Sequence, residues 1–357
     1  MEKNCLAGYF REFQAYVDDV CVLASYMPWY CDGFWIEDYD FTDMPLLGAY
    51  DVRDPLTICK HVDWAKGFGV DVFLMNWTTI GDEQDKNIKK ILENMNQNIN
   101  CRIDIAILWG PDPEKMINSP PPDHPDWDLY DMSNEFNQNV FLNDMKYLAE
   151  TYFTNRLYFK LSGRPVIYFY NSKSMRGPLP KLIKLARKEI EDLTGAEPFI
   201  IGDEIGWLFT YPEDWINVDD NSLERLTAFD AISDWAGSHD RSDPEYIEKY
   251  EEYLDILYSK WSEFLIKNDV GFVPSVIPGF YEIYKGYERN YPPIPRSPEK
   301  FRERLRIAMK YMDPKLKIIR IDTWNDWGEW TNIEPTKKEK FTYLEVLKNV
   351  LKDSNNL

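Results

Sequence analysis

Residues 318–330 read Ile318-Ile319-Arg320-Ile321-Asp322-Thr323-Trp324-Asn325-Asp326-Trp327-Gly328-Glu329-Trp330. The stretch opens as a buried strand and then breaks into tryptophans, an amide and acids, continuing through Asn332 and Glu334-Pro335. Aromatic faces beside carboxylates suit a sugar: rings stack on the apolar C–H faces of a pyranose, and acids exchange protons with its oxygens. Asp326 and Glu329 are three apart, so one helical turn after the strand sets them side by side. Two carboxyls so placed fit the roughly 5–5.5 Å pair of retaining glycosidases. In the competing reading Trp324, Trp327 and Trp330 cap a hydrophobic core and the acids start the next helix. The rest of the chain weighs between them.

Working outward, similar apolar runs recur upstream: Val22–Met27, Val70–Met75, Ile103–Leu108, Arg164–Tyr170, Pro198–Gly202, Ala228–Trp235 and Gly271–Val276. Helical stretches separate them. Asp54-Pro55 supplies an N-cap acceptor and a proline at N1 for a helix to about Ala65. Ile88, Ile91, Leu92 and Met95 share one helical face, helices are expected over about 137–155 and Pro180–Leu193, and a long one over Pro244–Lys267. Leu305, Ala308, Met309 and Met312 mark another, and a last helix is expected over about Lys338–Leu351. Near-continuously apolar runs are those of parallel strands buried on both faces. The pattern predicts an α/β protein, a single (β/α)8 TIM barrel over 1–357 with long βα loops, rather than a doubly wound open sheet. An open sheet of that kind usually carries a glycine-rich phosphate loop, and neither G-x-G-x-x-G nor G-x-x-x-x-G-K occurs. Residues 1–20 read as an N-terminal extension. The proline- and aspartate-rich insertion 110–136 is too long for a plain connector and reads as a lid or rim.

Composition bounds the partners. With 44% hydrophobic and 29% charged residues the chain has material for a large core, and aromatics reach 15%. A net charge of −20 repels nucleic acid and anionic membrane, and favours neutral or cationic ligands, although solubility alone accounts for it equally well. The five cysteines are odd in number and form no C-x-x-C pair, which predicts free thiols in a reducing compartment. The N-terminus lacks a charged-then-apolar leader and no apolar run reaches membrane-spanning length. The expectation is a cytoplasmic protein, or a secreted one if a leader has been removed. The sequence does not set the oligomeric state.

In a barrel, chemistry gathers at the C-terminal ends of the strands. Those ends are Trp29-Tyr30, Asn76-Trp77, Trp109, Tyr170-Asn171, Asp203-Glu204, Asp234-Trp235, Tyr281 and Trp324–Glu329. An aromatic or polar group closes every one, as in a cleft for several sugar units. The expected catalytic pair is therefore Asp326 and Glu329. Trp29, Tyr30, Trp77, Trp109, Glu204, Trp235, Tyr281, Trp324, Asn325 and Trp327 are the expected binding residues for an oligosaccharide or polysaccharide. No cofactor is expected. His61, His124 and His239 are far apart, so no histidine-rich metal site is predicted, and His61 reads as structural. There is no G-x-S-x-G elbow. Asp38-Tyr39-Asp40 and Asp126-Trp127-Asp128 form the D-x-D of metal-dependent sugar-nucleotide transferases, a triplet that arises by chance in so acidic a chain.

Four segments in order resemble glycoside hydrolase family 99 and the WbsX-type proteins of polysaccharide gene clusters. Leu47-Gly48-Ala49-Tyr50-Asp51-Val52-Arg53-Asp54-Pro55 is similar to L-G-Y-Y-D-x-R-D-P, and Gly163–Tyr170 to G-K-P-V-x-Y-I-Y. Val273–Phe280 is similar to P-S-V-x-P-G-Y, and Trp324–Glu329 with Ile333-Glu334-Pro335 to N-E-W-x-E-G…x-E-P. The resemblance implies a barrel acting within α-mannoside or related glycan chains with retention. Asp326 would deprotonate the sugar 2-hydroxyl, which attacks the anomeric carbon to give a 1,2-anhydro sugar, and Glu329 would protonate the leaving group and later activate water. Such substrate assistance frees the carboxyl separation from the ordinary two-step rule.

The chain departs from that pattern at three places. Asp326 stands for a glutamate, one methylene shorter; Trp330 replaces a glycine; and Trp109-Gly110-Pro111 stands where the hydrolases carry a glutamate-containing segment that helps bind substrate. Should Asp326 fall short, Glu204 is the alternative second carboxylate. Three functional readings result: a hydrolase, a glycosyltransferase of surface-polysaccharide synthesis, or a catalytically weak glycan-binding pseudoenzyme.

Overall fold

The computed structural model describes residues 20–31, 34–35, 43–120, 122, 128–205, 212–213, 222–235, 244–281 and 293–354. Eight barrel strands run through it: β1 Cys21–Tyr26, β2 Val72–Trp77, β3 Asp104–Trp109, β4 Arg164–Phe169, β5 Phe199–Ile205, β6 Ala231–Asp234, β7 in two pieces (Gly271–Val273 and Ser275–Val276), and β8 Ile318–Ile321. A helix follows each: α1 Pro55–Phe68, α2 Glu83–Gln97, α3 Glu135–Leu148, α4 Leu179–Thr194, α5 Ser222–Thr227, α6 Tyr250–Lys267, α7 Pro298–Tyr311 and α8 Thr342–Ser354. Each strand lies parallel to its neighbours, in the cyclic order the chain follows.

Closure occurs through β7. Its first piece pairs with β6 (Phe272 opposite Ile232) and its second with β8 (Val276 opposite Ile321). Pro274, between them, has no N–H to donate, and its carbonyl accepts from the Arg320 amide at 3.0 Å. The strand changes partners where its ladder is interrupted. The protein is a (β/α)8 barrel, as the alternation of apolar runs and helices predicts.

Local signals set most boundaries. Asp54 accepts from the Leu56 amide, Pro55 sits in the first turn, and Gly69 closes α1 in the left-handed region at φ 99°. The expected long helix breaks at Lys249 into Pro244–Glu248 and α6. The expected 137–155 helix is α3 followed by a π-helical turn, Ala149–Phe153. β5 extends past the expected Gly202 to Ile205, which takes Asp203 and Glu204 into the strand. Residues 1–19 of the expected extension lie outside the described residues. In the insertion, Tyr130–Asp131 pairs with Met175–Arg176. Lys115 is buried 5.1 Å from both the Trp77 and Trp109 rings and 3.2 Å from Asp144 Oδ2, which fastens this part of the insertion to the barrel wall.

Strand alternation divides the apolar residues into two cores. Leu23, Leu74, Leu108, Ile201, Val273 and Ile318 share the barrel interior. Phe73, Ile107, Phe169, Ile232, Phe272 and Ile319 point the other way, into the layer shared with the helices. No helix among the described residues is long and apolar enough to cross a membrane.

One expectation is corrected. Cys59 on α1 and Cys101 just before β3 form a disulfide, with Cα atoms 4.8 Å apart. Cys21 and Cys31 are free thiols, and Cys5 lies outside the described residues. Separation along the chain hid the pair, because only packing of α1 beside the α2–β3 connection brings residues 42 apart together. Alkylation without prior reduction should therefore leave Cys59 and Cys101 unlabelled in the intact-mass spectrum. Cys59→Ala should lower the unfolding free energy by about 3–4 kcal/mol, the chain-entropy value for a loop of this length, read from denaturant melts.

Candidate active site at the open end of the barrel

The loop leaving β8 is built by its own short side chains. Thr323 receives the Asp326 amide on its Oγ1 at 2.7 Å, and its own amide reaches the Thr331 carbonyl at 2.8 Å. Asp326 then caps the turn 327–330: its Oδ1 accepts the Glu329 amide at 3.0 Å. The turn ends with Trp330 at φ 56°, a left-handed conformation that a glycine, the residue of the resembled motif here, could adopt without a Cβ penalty. The Glu329 carbonyl accepts the Tyr281 amide at 2.9 Å, tying the turn to the segment that follows β7. Asp326 and Glu329 thus share one rigid turn. Asp326 is buried and Glu329 half-buried.

A second carboxylate holds this loop from behind. Glu334, fully buried, accepts from Tyr50 Oη at 2.8 Å and Trp327 Nε1 at 3.0 Å, and His61 Nε2 lies 3.1 Å from its other oxygen. His61 Nδ1 continues to Tyr26 Oη at 3.0 Å, which makes this histidine a structural one. Asn325 bonds both the amide and the carbonyl of Met27, and Trp327 donates its amide to Tyr30 Oη at 2.8 Å. The residues of the L-G-A-Y-D and Ile333-Glu334-Pro335 segments therefore meet in one network, and that network fixes the turn.

Alternation decides which strand-end side chains reach the mouth. Trp77 and Trp109 share the parity of Phe73 and Ile107, face the helices, and are fully buried. Their indole N–H groups bond Asp85 at 2.9 Å and Asp144 at 2.8 Å. Trp324 packs against His61 and Phe73, and Trp327 against Trp35. These four tryptophans, with Tyr30 and Asn325, are scaffold and offer no open face to a glycan as they stand. Glu204 is likewise corrected: it is fully buried, held by Arg225 Nε at 2.9 Å and Ser172 Oγ at 2.7 Å, and is not placed to act as a second carboxylate. Trp29 is half-buried against Tyr30. Trp235 is buried to 9% exposure, whereas Tyr281 is open to solvent at 52%.

The inward parity brings in residues that were not among the expected binding residues, Tyr170 having been named only as a strand end. Tyr170, half-buried, lies edge-on to Trp235 with centroids 5.5 Å apart. A Cβ on Gly110 would come within 3.1 Å of the Tyr170 ring, so this glycine makes room for it. Burial, with the charges of the Glu329, Asp203 and Asp322 carboxylates adding to it, pushes the Tyr170 hydroxyl well up, so it keeps its proton. Deeper in, Arg320 reaches Asp322 Oδ2 at 2.5 Å, Ser25 Oγ at 3.1 Å and the Asp234 carbonyl at 2.7 Å. Its guanidinium lies 4.3 Å from the Tyr168 ring centroid. Asp203 is paired with Lys173 at 3.0 Å. The signal for this layer was present: Arg320 interrupts an isoleucine run at a position of interior parity.

Among the described residues, no group of three His, Cys, Asp or Glu could hold a metal ion. Of the D-x-D triplets only Asp128 is described, and it accepts from Asn118 at 2.8 Å; His124 and His239 lie outside the described residues.

The family model described as glycosyltransferase WbsX matches residues 39–347. The chain belongs to the glycosyltransferase WbsX family. Among solved structures, this WbsX-family chain is similar to a glycoside hydrolase-like protein at TM-score 0.75 and 18% identity, covering 94% of this chain and 95% of that one. It is also similar to the family 99 endo-α-mannosidase of Bacteroides thetaiotaomicron at TM-score 0.65 and 17% identity, covering 94% and 97%. The same enzyme with bis-tris-propane bound gives TM-score 0.65 at 15% identity, again covering 94% and 97%. At these identities the likeness is one of fold. No curated protein matches the sequence.

The Glu334 network has a measurable cost of removal. Glu334→Ala strands three buried partners and should destabilise the fold by about 3–5 kcal/mol, whereas Glu334→Gln keeps an acceptor and should cost clearly less, both read from denaturant melts.

Proposed function

We propose that this WbsX-family protein is a retaining, endo-acting glycoside hydrolase of α-mannoside-like or bacterial polysaccharide chains. The observation that carries this reading is Glu329, half-buried on the Asp326-capped turn at the C-terminal end of β8. A carboxyl so placed can exchange a proton with a glycosidic oxygen. The likeness in fold to the family 99 endo-α-mannosidase supports the same direction.

In the first step Asp326 takes the proton of the sugar 2-hydroxyl, O2 bonds to C1, and the C1–O glycosidic bond breaks as its oxygen takes the Glu329 proton. In the second, water attacks C1 of the anhydro sugar and gives its proton to Glu329. The C1–O2 bond opens and O2 recovers the proton from Asp326. Two inversions at C1 leave the configuration unchanged, and no cofactor enters. Tyr170, Trp235 and Tyr281 would supply the faces and hydroxyls against the sugar, with Trp29 further out. The Cys59–Cys101 disulfide favours an oxidising compartment over the cytoplasm.

The family description favours a second reading, transfer from a sugar nucleotide. Mass spectrometry on a panel of α-linked oligosaccharides and bacterial polysaccharides separates the two. Wild type is expected to shorten a glycan internally without metal or sugar nucleotide, and Glu329→Gln to lose about 10²–10⁴-fold in rate. Asp326→Asn should lose a comparable factor with its melting temperature preserved. Product that forms only with a sugar nucleotide would replace the hydrolase by the transferase; glycan binding without product in all three proteins would leave a binding module.

A further inference from the structure

Beneath the turn lies a buried group that the two-carboxyl mechanism does not use. Asp322 immediately precedes Thr323, on which the catalytic turn is built, and its amide is fixed to the Val276 carbonyl at 2.9 Å. Its side chain is fully buried and accepts from Ser25 Oγ at 2.9 Å and Arg320 Nη2 at 2.5 Å. Arg320 in turn spans to β1 and β6, with the rings of Tyr168 and Trp235 at 4.3 and 5.5 Å. The Asp322–Arg320 pair therefore joins the start of the catalytic loop to the aromatic wall of the mouth.

Charge around Asp322 is finely balanced. Around it are Arg320 on β8, Ser25 on β1, Asp203 on β5, Asp234 on β6, and Tyr168 and Tyr170 in and just after β4. Asp203 has Lys173 as partner, and Asp234 accepts from Tyr258 Oη and the Ser275 amide. Arg320 is thus the one cation bonded to Asp322 among the described residues, with two further carboxylates close by. Burial raises the Asp322 carboxyl to about 7, against the lowering pull of Arg320 and the Ser25 hydroxyl, with Asp234 and Asp203 adding to the rise. The Trp235 ring links the two regions, lying 5.5 Å from the Arg320 guanidinium on one side and edge-on to Tyr170 on the other, and the Asp322 and Glu329 carboxylates both raise the Tyr170 hydroxyl.

We propose that Asp322, through Arg320, is a positioning residue for the reaction at Glu329, and that gain or loss of its proton resets the loop and the field under Glu329 and Tyr170. This rests on the assignment of Glu329 above. Asp322 does not touch the sugar, so its proton should move kcat more than KM.

The test is the pH profile of kcat and KM on whichever glycan wild type cleaves, for wild type, Asp322→Asn and Ser25→Ala. Wild type should show an inflection near pH 7 in kcat that Asp322→Asn lacks. Ser25→Ala, which removes a hydrogen bond favouring the charged form, should move that inflection to higher pH, and it serves if Asp322→Asn folds poorly. The same inflection in all three proteins, or an effect confined to KM, would overturn the proposal.

A second readout needs no substrate. Hydrogen exchange of the peptide covering 322–334, corrected for intrinsic rate, should change through pH 7 in wild type and not in Asp322→Asn. Stability gives the sign independently. A carboxyl raised on folding keeps a proton the unfolded chain releases, so the folding equilibrium of wild type should weaken by up to tenfold per pH unit relative to Asp322→Asn from about pH 4 to 7, then level off. Flat exchange and parallel stability curves would refute the idea even if no glycan in the panel were cleaved. Absence of cleavage with these signatures present would discard only the hydrolase.

Discussion

The turn that carries Asp326 and Glu329 depends on one buried carboxylate, Glu334. A carboxyl group in a barrel–helix layer is tolerated only when its polar atoms are partnered, and Tyr50, Trp327 and His61 partner them from three separate parts of the chain. Each partner is pinned elsewhere: Tyr50 against Trp35, His61 by Tyr26, Trp327 by Tyr30. The result is a turn whose backbone is set from behind by buried bonds, leaving its front to the barrel mouth. Rigidity of this kind is what proton transfer to a defined oxygen requires.

The barrel interior is divided by height. Its lower part is aliphatic, from Val72 and Ile318 up to Leu74 and Leu108, and packs as an ordinary core. One layer higher, Ser25, Tyr168, Asp203, Ser233 and Arg320 replace the aliphatics. Such a layer costs desolvation, which the pairing of Asp203 with Lys173 and of Arg320 with Asp322 offsets, although Ser233 Oγ and Arg320 Nε are left without a partner. Its position, one step below Tyr170 along β4, puts a polar layer on top of an apolar plug.

The sequence by itself determined the barrel. Near-continuous apolar runs need burial on both faces, and the helices between them carry their own start and stop signals. It also placed Asp326 and Glu329 on one turn, because three-residue spacing after a strand leaves few other arrangements. The structural character of His61 was readable as well, from its place inside a helix.

Tertiary structure alone decided which strand-end residues point into the barrel and which toward the helices. Alternation sends Trp77 and Trp109 outward and Tyr170, Trp235 and Asp322 inward, and a single bulge or shift of strand end reverses that assignment, so composition at the ends could not settle it. The capture of Glu204 by Arg225 and the joining of Cys59 to Cys101 have the same origin. Each pairs residues distant in the chain, and only the packing of helices around the barrel fixes those distances.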